Sequence, residues 1–352
     1  MSEAAPPWSA SCPLPIEPEV ITLGHGSGGR LSHRLQEEVF LPAFSNPALD
    51  RREDAAVVVA GADRLAFSTD SFVVSPLFFP GGDLGELAVN GTVNDLACAG
   101  AEPRYLSAAF VLEEGLPLET LRRLVASMAR AAARAQVAIV TGDTKVVERG
   151  KGDGVFVTTS GIGALRPGVE LSPRRCQPGD VVLVSGTLGD HGVAVMAARH
   201  DLGLLGDELR SDTAPLHELA RSLLDAAPGT RCLRDPTRGG LAAALTEIAA
   251  QAGCSIELAE EALPVTDTVR GALELMGLDP LLVANEGKLC AVVPADQADA
   301  ALAAWRGHPL GRAAARVGTL GAERSGLLSV RTPFGGRRTV ILPLSDPLPR
   351  IC

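Results

Sequence analysis

The sequence predicts a two-domain protein of the mixed α+β class, in which strands and helices are interspersed along the chain. Its 352 residues are 46% hydrophobic, which is enough to bury two packed cores. Short apolar runs typical of strands alternate with amphipathic helical patterns on both sides of a proline and glycine cluster. That cluster, over residues 166–179, predicts the boundary between the two domains.

The first domain is predicted over residues 20–166, behind a proline-rich leader, 1–19, to which we assign no role. A short strand at 20–23 should precede a glycine-rich loop, which an amphipathic helix follows from about Leu31 to Leu41. The remaining elements are apolar strands and helices with one hydrophobic face. They are a hairpin over 55–68, a helix over 84–99, a strand over 105–112, a helix over 118–135, and strands at 137–140 and 155–163.

The second domain is predicted over residues 167–342 and mixes strands and helices in the same way. Pro236 and the two glycines after Arg238 mark the start of one of its helices. The predicted elements are strands at 181–185 and 289–293 and around residues 317, 328 and 340, with helices opening at 188–192 and covering about 216–226, 240–251 and 298–305.

Residues 343–352 are predicted to form a flexible tail that carries Cys352. Pro343, Pro347 and Pro349 disfavour a helix or a central strand and favour an extended path of about 3 Å per residue. Such a tail reaches about 30 Å. We interpret it as an arm that brings a group on sulfur into a site built by the rest of the chain. The alternative is a disordered end with an incidental cysteine.

Composition excludes several classes of function. The net charge of −10 and the absence of basic runs argue against a nucleic-acid partner. No apolar run is long enough to span a membrane and the start of the chain has no targeting pattern, so a cytoplasmic protein is expected. The seven cysteines are odd in number and include no Cys-x-x-Cys pair, which argues against a disulfide framework or a zinc site.

Lysine is used at three positions only. Of 32 lysines and arginines, Lys145, Lys151 and Lys288 are the lysines. Lys145 and Lys288 lie in short acidic motifs beside glycine. A compact ammonium and a planar guanidinium differ in their chemistry, so these two lysines are candidates for a specific role.

Five aspartates share one sequence context, since each lies at a strand edge or a glycine-bearing turn beside Thr, Ser or Asn. A single such aspartate is usually a turn former or a helix cap. Five of them without a Cys or His ligand set favour oxygen ligation of Mg²⁺ together with phosphates. Asn94 and Asp95 also lie inside an apolar helix, where polar groups cost burial energy unless they bind something. The five are Asp54, Asp70, Asp95, Asp143 and Asp235.

The loop Gly24-His25-Gly26-Ser27-Gly28-Gly29 matches the dinucleotide pattern G-x-G-x-x-G, which is weak evidence when it stands alone. The surrounding strands do not fit a Rossmann unit. We favour a flap whose backbone N–H groups cover phosphates, and a simple loop is the alternative. His25 is as compatible with phosphate contact as with a solvated loop position. There is no P-loop motif, yet carboxylates, a glycine-rich cover and Lys145 are the parts that phosphoryl transfer uses.

Several motifs together resemble the HypE family of hydrogenase maturation proteins. That family belongs to the ATP-binding superfamily of aminoimidazole ribonucleotide synthetase, selenophosphate synthetase and thiamine-monophosphate kinase. The resemblance covers about residues 20–352, and the Cys-ended tail is its family-specific part. The motifs are His-Gly-Ser-Gly-Gly, Ser-Thr-Asp-Ser, Pro-Leu-Phe-Phe-Pro-Gly-Gly, Asn-Asp-Leu, Thr-Gly-Asp-Thr-Lys-Val-Val, Ser-Gly-Thr-Leu-Gly-Asp-His-Gly, Asp-Pro-Thr-Arg-Gly-Gly, Asn-Glu-Gly-Lys and Pro-Arg-Ile-Cys.

The resemblance implies a PurM-like architecture, with an N-terminal ATP-binding domain that dimerises and a C-terminal α+β domain. It also implies ATP and Mg²⁺ as cofactors, the carbamoyltransferase HypF as the partner that loads Cys352, and a HypC–HypD complex that accepts cyanide. The reaction would be ATP-dependent dehydration of the carbamoyl group to a thiocyanate, which supplies cyanide ligands to nickel-iron hydrogenase.

Specific residues follow from this chemistry and from the family motifs. Cys352 would carry the substrate and need little pKa tuning, Glu286 would act as base, and Lys145 would stabilise developing charge. Metal ligands would be Asp54, Asp70, Asp95 and Asp143. Nucleotide-binding residues would be Gly26, Ser27, Gly28, Gly29, Asp70, Asn94, Asp95, Gly142, Asp143, Thr144, Asp235 and Arg238.

Two other functions remain open at the level of sequence. One is a different ATP-dependent enzyme of the same superfamily, such as a small-molecule kinase or a selenophosphate synthetase, which would not need a terminal thiol. The other is a carrier without catalysis that presents Cys352 to partners. The carrier leaves the aspartates, Lys145 and Glu286 without a role.

Overall fold

The computed structural model describes residues 20–352, apart from 27, 45, 62, 201–208, 324, 345–347 and 349. The leader, 1–19, and Ser27, which was predicted to bind nucleotide, lie outside the described residues. Within the described part, two β-sheets with helices on their faces form a mixed α and β architecture. The predicted fold class is therefore confirmed.

The chain begins with the flap and a helical segment. Leu23–Gly26 forms a 3₁₀ turn, so the strand predicted at 20–23 is wrong. The predicted helix is present as α1, Arg30–Leu35, followed by a π-helical turn, Gln36–Phe40, and α2, Leu41–Phe44. Pro42 does not end it, since proline is tolerated in the first turn of a helix.

The first sheet is built on a predicted hairpin, and one of its faces is covered by two helices. Its strand order is β1-β2-β7-β5-β6, with β5 and β6 parallel and the other pairs antiparallel. Two helices cover the sheet, and a two-stranded ribbon precedes the first of these helices. The elements are β1 Ala56–Ala60, β2 Asp63–Phe72, β3 Phe78–Phe79, β4 Gly82–Asp83, α3 Leu84–Cys98, β5 Ala101–Glu113, α4 Leu118–Arg134, β6 Ala138–Val147 and β7 Val155–Leu165.

The two faces of this sheet differ in exposure. Along β7, residues alternate between buried positions that face α3 and more exposed positions on the outer face. On the outer face Phe67, Ile162 and Tyr105 lie in one row across three strands, because Ile162 pairs with both of the others. They are 44%, 40% and 53% exposed, respectively. A row of large apolar side chains on an open sheet face is a potential interface.

The second sheet has the order β14-β13-β10-β12-β8-β11-β9. Two of its inner strands, Val181–Val184 and Cys290–Val293, are continuous buried apolar runs, which is typical of strands that helices cover on both faces. The short strand β10 and the helix α8 were not anticipated; β10 has only two buried residues, Ile256 and Leu258, and so carries a weak pattern. The elements are β8 Val181–Val184, α5 Asp190–His200, α6 His217–Ala226, β9 Cys232–Arg234, α7 Gly240–Ala252, β10 Ser255–Ala259, α8 Asp267–Met276, β11 Cys290–Val293, α9 Ala298–Gly307, β12 Ala315–Gly321, β13 Leu328–Arg331 and β14 Arg337–Thr339.

One hydrophobic cluster joins the two halves of the chain. It contains Phe72 and Leu87 from the first half and Val193 and Val283 from the second. Burial of this shared surface fixes the relative position of the two sheets. Among the described residues, none of the helices combines the length and the apolar character needed to cross a membrane.

The tail belongs to the same cluster, which gives it a resting position that the sequence left open. Leu348 and Ile351 are 3% and 2% exposed and pack in the shared core. Burying two aliphatic side chains contributes about 1.5–3 kcal/mol each, which offsets the entropy of ordering the segment. The tail therefore lies on the protein with Cys352 directed inward.

Two helical glycines test the packing of this fold. A Cβ on Gly85 of α3 would lie 2.3 Å from the backbone oxygen of Leu124 in α4, whereas nothing lies within 4 Å of the same position on Gly271 of α8. We expect Gly85→Ala to lower the free energy of unfolding by about 1–3 kcal/mol. Gly271→Ala should raise it by about 0.5–1 kcal/mol, because alanine is the better helix former. Urea unfolding of both variants measures this; equal effects would contradict the described contact between α3 and α4.

Candidate active site

A cavity of about 340 Å³ opens between the flap, the first sheet and the start of α7. Both halves of the chain contribute to it, and so does the tail. Its walls are unusually acidic, with two arginines as the balancing cations. The polar residues around it include His25, Asp54, Asp70, Asp95, Arg234, Asp235, Arg238, Glu286 and Cys352.

The carboxylates converge because of how the elements pack. Asp70 lies on β2 and Asp95 on α3, which covers that strand. Ser68, also on β2, donates a hydrogen bond of 2.5 Å to Asp95 Oδ2. Asp54 precedes β1, and Asp235 follows β9 of the second sheet. The prediction that Asp54, Asp70 and Asp95 share one site agrees with this geometry, and Asp235 joins them.

Burial and mutual repulsion disfavour the charged forms of these groups. Burial raises the pKa of Asp54 to about 6, although the ion pair with Arg234 opposes the shift. Burial, with the charges of Asp54 and Asp70, raises the pKa of Asp235 to about 8. The pKa of Asp95 lies well above its ordinary value, again through burial first and then through the neighbouring carboxylates. Clustered buried carboxylates of this kind suit a divalent cation, which would remove the repulsion.

Cys98, the last residue of α3, is a neighbour of the carboxylates. It is 3% exposed, and its sulfur and the carboxylates of Asp54 and Asp235 lie within 4.8 Å of one another. Burial raises the pKa of Cys98 well above its ordinary value, so it stays a neutral thiol. The hard carboxylate oxygens, not this sulfur, are the fitting ligands for Mg²⁺.

Glu286 and Cys352 face each other at the inner end of the cavity. Glu286 is 2% exposed, and its Oε1 has no hydrogen-bond partner among the described residues. Burial and the charges of Asp235 and Asp212 raise its pKa well above the ordinary value. A buried, unpartnered carboxyl oxygen with a raised pKa is suited to take a proton from a neighbouring group.

The thiol of Cys352 is strongly perturbed, which corrects the expectation that it needs little tuning. Burial raises its pKa well above the ordinary value, and the charge of Glu286 acts in the same direction. Arg238 opposes this shift only in part. In the docked position Cys352 is therefore a neutral thiol and a poor nucleophile.

The flap closes over the cavity through backbone contacts. Arg238 donates a hydrogen bond of 2.9 Å to the carbonyl of Gly26. Gly28 has φ +78°, and a Cβ there would lie 3.1 Å from Arg238, so glycine is required. A Cβ on Gly29 would lie 2.9 Å from the carbonyl of Pro343. The predicted flap residues and Arg238 thus come together, and the flap also touches the start of the tail.

Asn94 was predicted to bind nucleotide, and the structure gives it another position. It is 1% exposed, and its side-chain amide donates to the carbonyls of Ala214 and Glu286 at 3.1 and 3.2 Å. Its Oδ1 accepts from the N–H of Leu216 at 2.8 Å. These bonds fasten α3 to the segment that carries Glu286, so Asn94 supports the site from behind.

The Thr-Gly-Asp-Thr-Lys motif lies elsewhere within this chain. Asp143 and Lys145 form an ion pair of 2.7 Å on the edge strand β6, with side chains 62% and 69% exposed. They pair in register with Ala109 and Val111, which lie on the outer face of the sheet, opposite to the face that carries Asp70. Gly142 and Thr144 lie on the same exposed strand. Asp143 therefore does not share a metal site with Asp54, Asp70 and Asp95 of its own chain.

Comparison with known proteins places these features in one class. Residues 52–165 match the N-terminal domain model, and residues 177–330 the C-terminal domain model, of AIR synthase related proteins. Carbamoyl dehydratase HypE of Azotobacter vinelandii is 53% identical over 332 residues, which cover 94% of this chain and 97% of the relative. Carbamoyl dehydratase HypE of Escherichia coli is 52% identical, over 94% of this chain and 99% of the relative.

Two solved structures are similar over nearly their whole length. The crystal structure of a HypE–HypF complex contains a chain with a TM-score of 0.83 and 48% identity, which covers 88% of this chain and 99% of its own. A HypE structure in complex with ATP has a TM-score of 0.80 and 47% identity, over 95% of this chain and 100% of its own.

The fold and the cavity thus define a protein of the AIR synthase related class, with its carboxylates and glycine flap around one site. Within that class the chain belongs to the HypE family.

The repulsion in the carboxylate cluster predicts a pH-dependent stability. A carboxyl whose pKa is raised by folding binds its proton more tightly in the folded state, so stability falls as pH rises from about 4 towards 8. In EDTA at pH 8, we expect Asp235→Asn to raise the free energy of unfolding by about 1–3 kcal/mol, with a smaller gain at pH 5.

Thermal unfolding at the two pH values measures this, with Asp299→Asn on the exposed side of α9 as control. Mg²⁺ should stabilise the original protein at pH 8 more than it stabilises Asp235→Asn. An Asp235→Asn protein that is less stable than the original in EDTA at pH 8 would show that Asp235 is not repelled by its neighbours.

Proposed function

We propose that this chain uses ATP to dehydrate a carbamoyl group carried on Cys352 to a thiocyanate, as a step in making the cyanide ligands of nickel-iron hydrogenase. The observation that carries the proposal is the position of Cys352, which lies in the carboxylate cavity against Glu286. The relatives in the same family bear the name carbamoyl dehydratase at 53% and 52% identity. A carrier would not need a buried carboxyl at its cargo.

The cavity has the groups that ATP and Mg²⁺ require, and a relative was solved with ATP bound. Asp54, Asp70, Asp95 and Asp235 would hold the metal ion, which would neutralise phosphate and carboxylate charge when bound. The backbone of the flap and Arg238 would contact the phosphates. This assignment replaces Asp143 by Asp235 as the fourth acidic residue of the same chain.

The dehydration balances without any other reactant. The carbamoyl oxygen attacks the γ-phosphorus of ATP, ADP leaves, and one nitrogen proton is removed. The resulting imidate phosphate then loses phosphate and the second nitrogen proton, which leaves S–C≡N on Cys352. Glu286 would accept these protons, and its Oε1, which has no hydrogen-bond partner among the described residues, supports this role. Oxygen thus departs as phosphate, a far better leaving group than hydroxide.

The loading and unloading of Cys352 would require other proteins. HypE has been solved in complex with HypF, which supports HypF as the partner that delivers the carbamoyl group. We propose a HypC–HypD complex as the acceptor of cyanide, and the cytoplasm as the place of reaction. The net charge of −10 and the cavity chemistry give no role to nucleic acid or to a membrane.

We further propose a homodimer through the outer face of the first sheet. Phe67, Tyr105 and Ile162 are exposed there in one row, and a second copy would cover them. Asp143 and Lys145 lie on that same face, so in the dimer they would act towards the site of the second copy. Lys145 would then stabilise the charge of the transferring phosphoryl group from across the interface.

Glu286→Gln tests the assignment of the base. We expect HypF to load the variant with carbamoyl normally, while conversion to the cyano adduct falls by about 10²–10⁴-fold, because glutamine keeps the shape but accepts no proton. Mass spectrometry of the peptide that contains Cys352, before and after addition of Mg-ATP, measures the loss of one water. Glu274→Gln, on α8, is the matched control. Normal conversion by Glu286→Gln would eliminate Glu286 as the base.

Mixing two inactive variants tests the dimer. Asp95→Asn removes a carboxylate from a chain's own cavity, and Lys145→Ala removes the group that acts on the partner's cavity. Each mixed dimer then contains one intact site and one site that lacks both groups. After exchange in an equal mixture about half of the dimers are mixed, so we expect about one quarter of the original dehydration rate. No recovery, with dimers present by light scattering, would place Lys145 in the cavity of its own chain.

A further inference from the structure

The docked tail is held through its backbone carbonyls. The N–H of Val73 donates to the carbonyl of Cys352 at 2.9 Å, and the N–H of Ser75 donates to that of Arg350 at 3.3 Å. The carbonyl between them, on Ile351, faces the other way and meets Nε2 of His191 at 2.8 Å. Each of the last three carbonyls is therefore bound, and His191, in the second half of the chain, binds the middle one.

The hydrogen bonds of His191 fix its tautomer. A carbonyl oxygen only accepts, so Nε2 carries the hydrogen that it donates to Ile351. Nδ1 therefore accepts from the hydroxyl of Ser211 at 2.8 Å, and the oxygen of that hydroxyl accepts the N–H of Thr213 at 3.1 Å. The ring is fully buried, and the ring of Phe79 packs edge-on at 5.5 Å. His191 is thus held in one orientation.

The residue after Ser211 holds the base. Asp212 Oδ1 accepts the backbone N–H of Glu286 at 3.0 Å, and Asp212 Oδ2 pairs with Nζ of Lys288 at 3.0 Å. The two segments approach so closely that a Cβ on Gly287 would lie 1.7 Å from the carbonyl oxygen of Asp212. Ser211 is itself anchored, because its N–H donates to the carbonyl of Pro80 at 2.8 Å.

We propose that residues 211–213, here called the positioning segment, set Cys352 against Glu286 by holding the tail through His191 and the base through Asp212. His191 is a positioning residue that acts through the Ile351 carbonyl. Lys288, which the proposed chemistry does not use, holds Asp212 in place. The inference rests on the proposed function, because only a protein that both loads and dehydrates at Cys352 needs this sulfur to be alternately released and docked.

Loading of Cys352 and dehydration of the loaded group require opposite states of the hydrogen bond from His191. Docked Cys352 is half-buried and lies inside the cavity beside Glu286, so loading by a second protein requires release of the tail. Dehydration needs the docked position beside Glu286. Weakening the bond from His191 should therefore favour loading and disfavour dehydration, whereas general damage to the fold would reduce both.

His191→Phe is the main test, since it removes both hydrogen bonds and keeps an aromatic ring. We expect Cys352 to react with iodoacetamide about tenfold faster in the protein alone, and the pre-loaded carbamoyl group to be dehydrated about tenfold more slowly, while loading by HypF is unchanged or faster. Mass spectrometry of the peptide that contains Cys352 reads all three rates. His191→Gln, whose amide N–H can still donate to Ile351, should restore the original rates in part.

His217→Phe is the matched control, because His217 also lies at the start of a helix and makes no side-chain hydrogen bond with the described residues. Ser211→Ala provides a milder variant should His191→Phe not fold. Unchanged iodoacetamide labelling in both folded variants, or loading and dehydration that fall together, would overturn the proposal. Failure of the original loaded protein to form the cyano adduct would instead overturn the proposed function, because the labelling test needs neither ATP nor HypF.

Discussion

Asp54, Asp70, Asp95, Asp235 and Glu286 reach one cavity from separate parts of the chain, and their mutual repulsion is the constraint on which the site depends. Two arginines accompany them, of which Arg234 is already committed to Asp54. Burial makes every remaining negative charge costly. The buried carboxylates are therefore stable when they carry protons, or when cations bound with a polyphosphate replace those protons. Folding, metal binding and nucleotide binding consequently all depend on how the carboxylate charge is compensated.

The shared hydrophobic core gives this cavity its shape. Phe72 and Leu87 of the first half pack with Val193 and Val283 of the second, and the tail closes the same cluster with Leu348 and Ile351. Because Leu348 and Ile351 are part of the core, the sulfur of Cys352 docks at the same time as these two side chains pack. Release of the tail must then expose apolar surface, for which a loading partner would have to compensate.

Much of this arrangement could be predicted from the sequence. Local patterns were sufficient for the hairpin and for α3, whereas the grouping of Asp54, Asp70 and Asp95 came from the family resemblance. The position of Asp143 could not be predicted, because the face of the sheet on which it lies depends on the register between β5 and β6. A shift of one residue in that register would turn Asp143 to the opposite face.

The resting position of the tail could not be predicted for a similar reason. Its prolines indicate an extended path, but the surface that buries Leu348 and Ile351 is assembled from distant segments and has no local signature. The same holds for Asn94, whose partners at Ala214 and Glu286 lie more than a hundred positions away along the chain. His191 and Glu286 likewise become connected only once residues 211–213 lie between them.

The direction of the carbonyls in the tail has a consequence for recognition. Arg350 and Cys352 present theirs to Ser75 and Val73, and Ile351 presents its own to the opposite side, so neighbouring carbonyls point in alternating directions. Recognition through carbonyls is sensitive to spacing, and the burial of Ile351 restricts its side chain to apolar residues of similar size. One residue inserted between Arg350 and Cys352 would turn the sulfur away from Glu286, and a conservative exchange at Ile351 would leave it in place.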